Sequence, residues 1–470
     1  MNNEDLCFLS AIEMAAAIRD RTVSPVELTR AILDRIDRLN PALNAFCISM
    51  ADEALQTAGE LEAQVVRGET LGPLHGVPVS IKDILYVKDV RTTFGSKLFE
   101  DNVTLEDAPS IERLRRAGAV LIGRTNTPEF GWKGVTDNRV FGATRNPWNL
   151  ERTAGGSSGG ASAAVAAGLG PIGMGTDGGG SIRIPAAFCG LVGLKASFGR
   201  IPNYPATTVD SLRHTGPLTR TVADAALALN ITAGPDERDS ASLPAAQLDF
   251  LTEMEHGIEK VRIAYSPNLG YATVDAEVAQ TCAQAAERLA DAGATVETVE
   301  LGWQDPYECW QVFFYGGIGA RLADDLQQRG HLLDPGLLKT VQAGLQLSGV
   351  DWVKAMMARN EYWQKVRALF EHYDLLITPA LALGAFPVGQ DVPDSPRSDA
   401  RPLDWTPFTY PFNLTGQPAV TVPCGWTQEE LPIGMQIVGR RFDDALILRA
   451  ARAWEQIQPW ADRRPVVADG

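Results

Sequence analysis

Between Gly155 and Gly199 this 470-residue chain concentrates 14 of its 44 glycines, in under a tenth of its length. Glycine has no Cβ, so it tolerates φ > 0 and lets main-chain N–H groups come close to a ligand. Two glycine loops in this stretch carry serine: Gly155 to Gly160 (GGSSGG) and Gly178 to Ser181 (GGGS). Taken alone, GGSSGG also reads as a flexible linker. Its surroundings argue otherwise. Ala161 to Gly168 (ASAAVAAG) is strong helix former ending on glycine. Pro171 to Gly175 (PIGMG) is a short buried-strand candidate, followed directly by Thr176 to Ser181. Loop, helix, strand and second loop would fold back with the two serine loops close together.

The ordered block GGSSGG, AAVAAG and GTDGGGSIRIPAAFCGLVGLK resembles the amidase signature. The resemblance is strongest from Leu74 to Arg200 and extends from the N-terminal helices to Met435–Gly439. It implies an α/β fold: one large domain, 1–470, with a central mixed, twisted β-sheet covered by helices on both faces. Within it, 1–70 would be a helical packing segment, 74–200 the catalytic core, and 303–372 a helical, aromatic-rich substrate entrance. The resemblance also implies roles. Ser181 is the expected nucleophile, and the N–H groups of Gly178, Gly179, Gly180 and Ser181 the expected oxyanion hole. Ser157 is the expected bridging serine, preceded by a cis peptide at Gly156–Ser157. Lys82, in the run Pro78-x-x-x-Lys82-Asp83, is the expected base. Gly131 and Trp132 fall where relatives contact the acyl group.

The implied chemistry is coherent. Serine attacks an amide only when something removes its proton. A lysine can do so only when neutral, so its pKa must fall from about 10.4 toward roughly 7–8 through desolvation. The apolar Val77, Val79 and Ile81 beside Lys82 are consistent with that burial, although a lysine at a strand end can also snorkel to the surface. Asp177 and Arg183 are expected to support the loop by an ion pair or hydrogen bonds, and Ser158 to bond within its own loop.

Composition excludes several classes. A formal charge of −16 and a pI near 4.9 argue against nucleic acid or an anionic membrane surface as partner. The six cysteines are scattered with no Cys-x-x-Cys pair, which predicts reduced thiols in a cytoplasmic protein. Five histidines without His-x-x-x-His spacing argue against a zinc site, and neither metal nor organic cofactor is expected. The acidic start MNNEDLC shows no signal peptide, and no apolar run is long enough for a membrane span. The expected partner is a small amide or carbamate; a homodimer is left open.

Along the chain, Ser10–Glu13 and Ser24–Glu27 are capping-box patterns. The second opens a helix whose apolar positions Leu28, Ile32, Leu33, Ile36 and Leu39 run until Asn40–Pro41 ends it. A helix is expected over Asp52–Val66. Val77–Asp83 reads as a short strand, and a helix opening at Ser110 leads into a strand at Ala119–Ile122. Later strands are expected at Val261–Tyr265, Thr295–Leu301, Leu375–Thr378, Ala419–Val422 and Gly434–Val438. Pro306–His372 reads as mainly helical, Asp443–Gln456 as a closing helix, and Pro387–Pro402 as a surface loop.

Three other readings fit parts of the sequence. Gly156–Gly160 satisfies G-x-S-x-G, the nucleophile elbow of an α/β-hydrolase, with His214, His256, His331 and His372 as candidate partners in a Ser-His-Asp esterase. The glycine loops could cradle phosphate, but no Gly-Lys-Ser/Thr follows. Within the resembled family, the glutaminase component of the tRNA-dependent amidotransferase uses glutamine. Its expected Arg-Tyr-Asp-Gly-like run and C-terminal acid are replaced here by Asn360–Gln364 and Thr406, which favours a stand-alone amidase. With no clear charged clamp in the sequence, neutral apolar or aromatic amides are the expected substrates. Anilides, esters and carbamates are within reach of the same chemistry, as for an aryl acylamidase or urethanase.

Overall fold

Local signals set the N-terminal helices. Both expected capping boxes are formed, Ser10 with Glu13 and Ser24 with Glu27, each serine accepting the glutamate N–H while the carboxylate caps the serine backbone. The second helix runs Pro25–Leu43, past the expected stop at Pro41. Pro41 stands in the last turn and removes a single donor, its own N–H toward Asp37 O, just before the helix ends. The helix ends instead at Asn44, in the left-handed conformation, with its N–H on Asn40 O at 2.7 Å. A further helix spans Ala51–Arg67. The computed structural model describes residues 3–207, 209, 211–394 and 401–467. The central part of the expected Pro387–Pro402 loop, 395–400, therefore lies outside the described residues.

Eleven strands form one sheet: β1 Phe46–Ser49, β2 Pro78–Lys82, β3 Val120–Thr125, β4 Ile172–Asp177, β5 Val192–Lys195, β6 His214–Thr219, β7 Arg262–Tyr265, β8 Thr295–Thr298, β9 Leu375–Pro379, β10 Ala419–Trp426 and β11 Pro432–Gly439. Their order is β1-β3-β2-β4-β6-β5-β10-β11-β9-β7-β8. The sheet is mixed. β3, β2 and β4 run parallel, β4 through β11 alternate antiparallel, and β9, β7 and β8 are parallel again. Every residue of β2, β3, β4 and β6 is buried. Since successive side chains point to opposite faces, both faces of this central part are covered. This is the expected α/β class.

Three strands escaped the sequence reading: β1, β5 and β6. β6 contains Gly216 and Pro217, which lower strand propensity. Its pairing to β4 over six residues, from His214 opposite Asp177 to Thr219 opposite Ile172, overrides that preference. The region beyond Pro306 is helical as expected, in three helices, Tyr307–Arg329, Pro335–Gly344 and Gly349–His372.

The first serine loop leads into the helix Gly159–Ala166, all of whose residues are buried. At its start a Cβ on Gly160 would lie 2.3 Å from Asn126 N and 2.6 Å from Ala45 O. Those neighbours are backbone and cannot step aside. We expect Gly160→Ala to destabilise the protein by about 2 kcal/mol or more, read as a lower denaturation midpoint at unchanged m-value. Gly59→Ala, in the helix Ala51–Arg67 with nothing within 4 Å of the added carbon, should instead gain roughly 0.5–1 kcal/mol.

Candidate active site

β2 and β4 are adjacent and parallel, so their C-terminal ends, Lys82 and Asp177, share one edge of the sheet. The first serine loop crosses this edge and is stapled to the second: Ser158 N–H donates to Ser181 O at 3.1 Å. The Gly156–Ser157 peptide is cis. Lys82 is fully buried, and its Nζ lies 2.7 Å from Ser157 Oγ, 2.9 Å from Ser158 Oγ and 3.0 Å from Thr176 Oγ1. Burial, then the nearby Arg213 charge, push its pKa well below the ordinary lysine value, with Asp177 acting weakly the other way. All three contacts are hydroxyls, which can donate as well as accept. They can serve the ammonium and the neutral amine alike.

Ser158 therefore does more than bond within its loop. It contacts Lys82, and its hydroxyl also lies 3.3 Å from both the N–H and the C=O of Thr176. Thr176 itself was missed by sequence reasoning, because its role depends on β4 lying beside β2.

Behind the second loop, Asp177 and Arg183 form a fully buried ion pair, Arg183 Nη2 lying 2.9 Å from Asp177 Oδ1. The guanidinium makes five hydrogen bonds: two to Asp177 and one each to Thr409 O, Gln436 Oε1 and Asn413 Oδ1. That matches its five N–H donors. Burial tends to raise the Asp177 pKa, but Arg183, through its charge and hydrogen bonds, with Lys195 and Asn413, holds it well below the usual carboxylate range. Asp177 also accepts Gly180 N–H at 2.7 Å and Ile182 N–H at 3.2 Å.

Of the four N–H groups expected to form an oxyanion hole, this pairing engages one. Gly180 N–H is already engaged, whereas among the described residues the N–H groups of Gly178, Gly179 and Ser181 have no hydrogen-bond partner. Two side chains hold the loop carbonyls: Trp310 Nε1 donates to Gly178 O at 2.9 Å and Thr409 Oγ1 to Gly179 O at 2.6 Å. In a trans peptide the N–H points opposite to the C=O. Trp310 thus aims Gly179 N–H away from itself, and Thr409 aims Gly180 N–H toward Asp177. Gly180 has φ 129°, and a Cβ there would meet Thr409 Oγ1 at 2.5 Å.

A cavity opens over these residues, lined by Ser157, Thr176, Gly178, Ser181 and Gly131, with Ile84, Tyr86, Phe94, Phe130 and Phe314 among its apolar walls. Arg213 and Arg321 also line it. Gly131 lies at the cavity, whereas Trp132 is not among its lining residues. The indole packs instead on the first turn of Pro335–Gly344, where a Cβ on Gly336 would come within 2.3 Å of it, and Lys133 Nζ sits 5.4 Å from its ring. None of the four candidate histidines lines the cavity; His214 faces Lys195 and backbone carbonyls of Asp177 and Leu212, and His256 faces Glu253.

An amidase-family profile matches residues 27–448. An acylamidase of Rhodococcus erythropolis is 42% identical over 472 residues, covering 99% of this chain and 98% of that protein. Among solved structures, a bacterial aryl acylamidase of the amidase signature family superimposes with a TM-score of 0.91 at 32% identity over 97% of both chains. The 6-aminohexanoate cyclic dimer hydrolase with its substrate gives 0.89 at 31% identity, covering 98% and 99%. The chain belongs to the amidase signature family, and it is an amidase of the Ser–cis-Ser–Lys class.

The Trp310 bond gives a direct test of how the second loop is aimed. Trp310→Phe keeps an aromatic ring but loses the donor to Gly178 O. It should lower kcat about tenfold with little change in KM, since a misaimed oxyanion donor is felt mainly in the transition state. Steady-state kinetics on one chromogenic amide would measure it.

Proposed function

We propose that this chain hydrolyses apolar and aromatic amides through a seryl acyl-enzyme, with aryl amides and aryl carbamates as its preferred class and esters within its range. The observation that carries the reading is the buried Lys82 amine, 2.7 Å from Ser157 Oγ and seated among hydroxyls rather than against a carboxylate. Neutral Lys82 draws the proton of Ser157 as Ser157 takes that of Ser181, and Ser181 Oγ attacks the carbonyl carbon. The resulting oxyanion is received by the unpaired N–H groups of the second loop. Collapse breaks the C–N bond, and Ser157 protonates the departing nitrogen while recovering its own proton from Lys82. Water, activated by the same relay, then cleaves the acyl–Ser181 ester and releases the acid.

The apolar cavity walls support an aromatic substrate, and the likeness to an acylamidase and an aryl acylamidase supports the same choice. The amidotransferase-like glutaminase reading is less well supported. Tyr362, in the run that would have to recognise glutamine, is buried in a separate aromatic cluster, and Thr406 is buried with its hydroxyl on Leu403 O at 3.1 Å. Neither lines the cavity. The six free cysteines support a reducing, cytoplasmic setting. No helix among the described residues is long and apolar enough to cross a membrane.

Ser181→Ala and Lys82→Met should each lower kcat/KM for an anilide by about 10³-fold or more, and Ser157→Ala by somewhat less. A fluorophosphonate should label wild type at Ser181 and leave Ser181→Ala unlabelled, as read by intact mass. Retention of near wild-type turnover by Lys82→Met at neutral pH would refute the relay.

The pH profile follows from the depressed Lys82 pKa. The base works only when deprotonated, so activity should rise with pH through its folded-state pKa and be lost as pH falls below it. Because that value is lowered, the plateau should be reached well before the ordinary lysine range, and Lys82→Met should abolish the limb. For substrate class, an anilide, a benzyl carbamate, a short aliphatic amide and free glutamine should be compared at equal concentration. The anilide and carbamate are expected to lead; glutamine as best substrate would overturn the assignment.

A further inference from the structure

Two arginines, Arg213 and Arg321, line the cavity over the serine loops, and among the described residues no aspartate or glutamate does. Arg213 is buried near the triad, whereas Arg321 is exposed, on the helix Tyr307–Arg329. No sequence pattern marks a clamp there, because Arg321 lies amid an ordinary charged helix surface, three and four residues before Asp324 and Asp325.

Its packing is not that of a solvated helix arginine. Asp325, at the spacing that favours an ion pair with Arg321, pairs with Arg329 instead. The Arg321 guanidinium lies over three phenylalanine rings, 5.8 Å from Phe94, 5.9 Å from Phe99 and 5.4 Å from Phe130. Those rings form a cluster of their own, Phe94 stacked on Phe130 at 6.0 Å and Phe99 edge-on to both. Among the described residues Arg321 has no carboxylate or hydrogen-bond partner. An arginine held over aromatic rings by cation–π contact, with no protein acceptor, keeps its N–H donors available to bind an oxyanion bidentately. The phenylalanines fix its position, so less side-chain entropy is lost when it binds.

We infer that Arg321 is a specificity residue that receives a carboxylate at the end of the substrate remote from the scissile carbonyl. The substrate class is then an aromatic amide with a neutral reacting end and an anionic far end. This rests on the hydrolase reading above and deepens it. The apolar walls hold the ring, the serine loops hold the carbonyl, and Arg321 at the exposed rim holds the carboxylate.

Two matched substrate pairs test it. 4-Acetamidobenzoate against 4-acetylacetanilide places the charge on the leaving-group side, and adipic acid monoanilide against heptananilide places it on the acyl side. The ratio of kcat/KM within each pair is compared between wild type and Arg321→Met, so that intrinsic leaving-group differences cancel. In at least one pair the carboxylate-to-neutral ratio should fall about five- to tenfold in Arg321→Met. Arg321→Lys should restore part of it, and about 0.5 M salt should shrink it in wild type. Ratios unchanged by Arg321→Met in both pairs would overturn the inference. Calorimetric binding of the same four compounds to Ser181→Ala, with and without Arg321→Met, gives a readout independent of turnover. If none is hydrolysed, the hydrolase reading fails on its own. A carboxylate preference in binding that vanishes with Arg321→Met still supports the clamp, and equal binding refutes it. Thermal melts of each variant establish that the fold is retained.

Discussion

A lysine amine wholly removed from water, with no carboxylate against it, is the constraint on which this site depends. Leaving a charged ammonium uncompensated in a protein interior costs several kcal/mol, so the fold itself favours the neutral base. The three hydroxyls around Lys82 come from two places: Ser157 and Ser158 from the first glycine loop, and Thr176 from the end of β4. That seat exists only if the loop crosses the ends of β2 and β4 at close range. Glycine density in the loop and the complete burial of the Gly159–Ala166 helix are what permit the approach.

A few residues away the same protein keeps a buried charge rather than discarding it. Asp177 and Arg183 are both fully desolvated, and their pairing is accompanied by hydrogen bonds to Thr409, Asn413 and Gln436. Such a pair is weak evidence for stability in itself, but removing one partner strands the other charge. Its structural consequence is geometric. Asp177 holds Gly180 and Ile182 by their N–H groups while Trp310 and Thr409 hold the loop carbonyls, so the second loop is fixed from both sides. Preorganised main-chain dipoles need no reorganisation when charge develops on the substrate.

The division of labour between sheet and helices follows from this. The sheet edge fixes the reacting groups, while the cavity takes walls from the segment containing Ile84 to Phe94 and from the helix Tyr307–Arg329. Related proteins of the same fold include a hydrolase of 6-aminohexanoate cyclic dimer and an aryl acylamidase. In this chain the walls and the supports of the serine loops come from different segments, so a wall residue can change without disturbing those supports.

How far the sequence reached can be traced residue by residue. The capping boxes at Ser10 and Ser24 are local signals, encoded within a few residues, and they appear in the structure. Lys82, Ser157 and Ser181 could be singled out because each sits in a dense motif that the resemblance made readable. Pro41 misled because a proline costs one donor rather than the whole element, and the helix carries that loss for the two residues before its end at Leu43. β6 was hidden because Gly216 and Pro217 disfavour a strand locally, and only the β4 ladder compensates. Trp132 looked like a pocket wall until the helix starting at Pro335 covered it. Asn413 and Gln436 carry no motif at all, yet they meet Arg183 across 230 and 253 positions of chain. The capped helix starts and the residue types of the serine loops were therefore set by the sequence alone. Which hydroxyls face the lysine, which amides stay unpaired and which cation overlooks the cavity were decided by tertiary packing, because each depends on contacts between segments that no short-range pattern encodes.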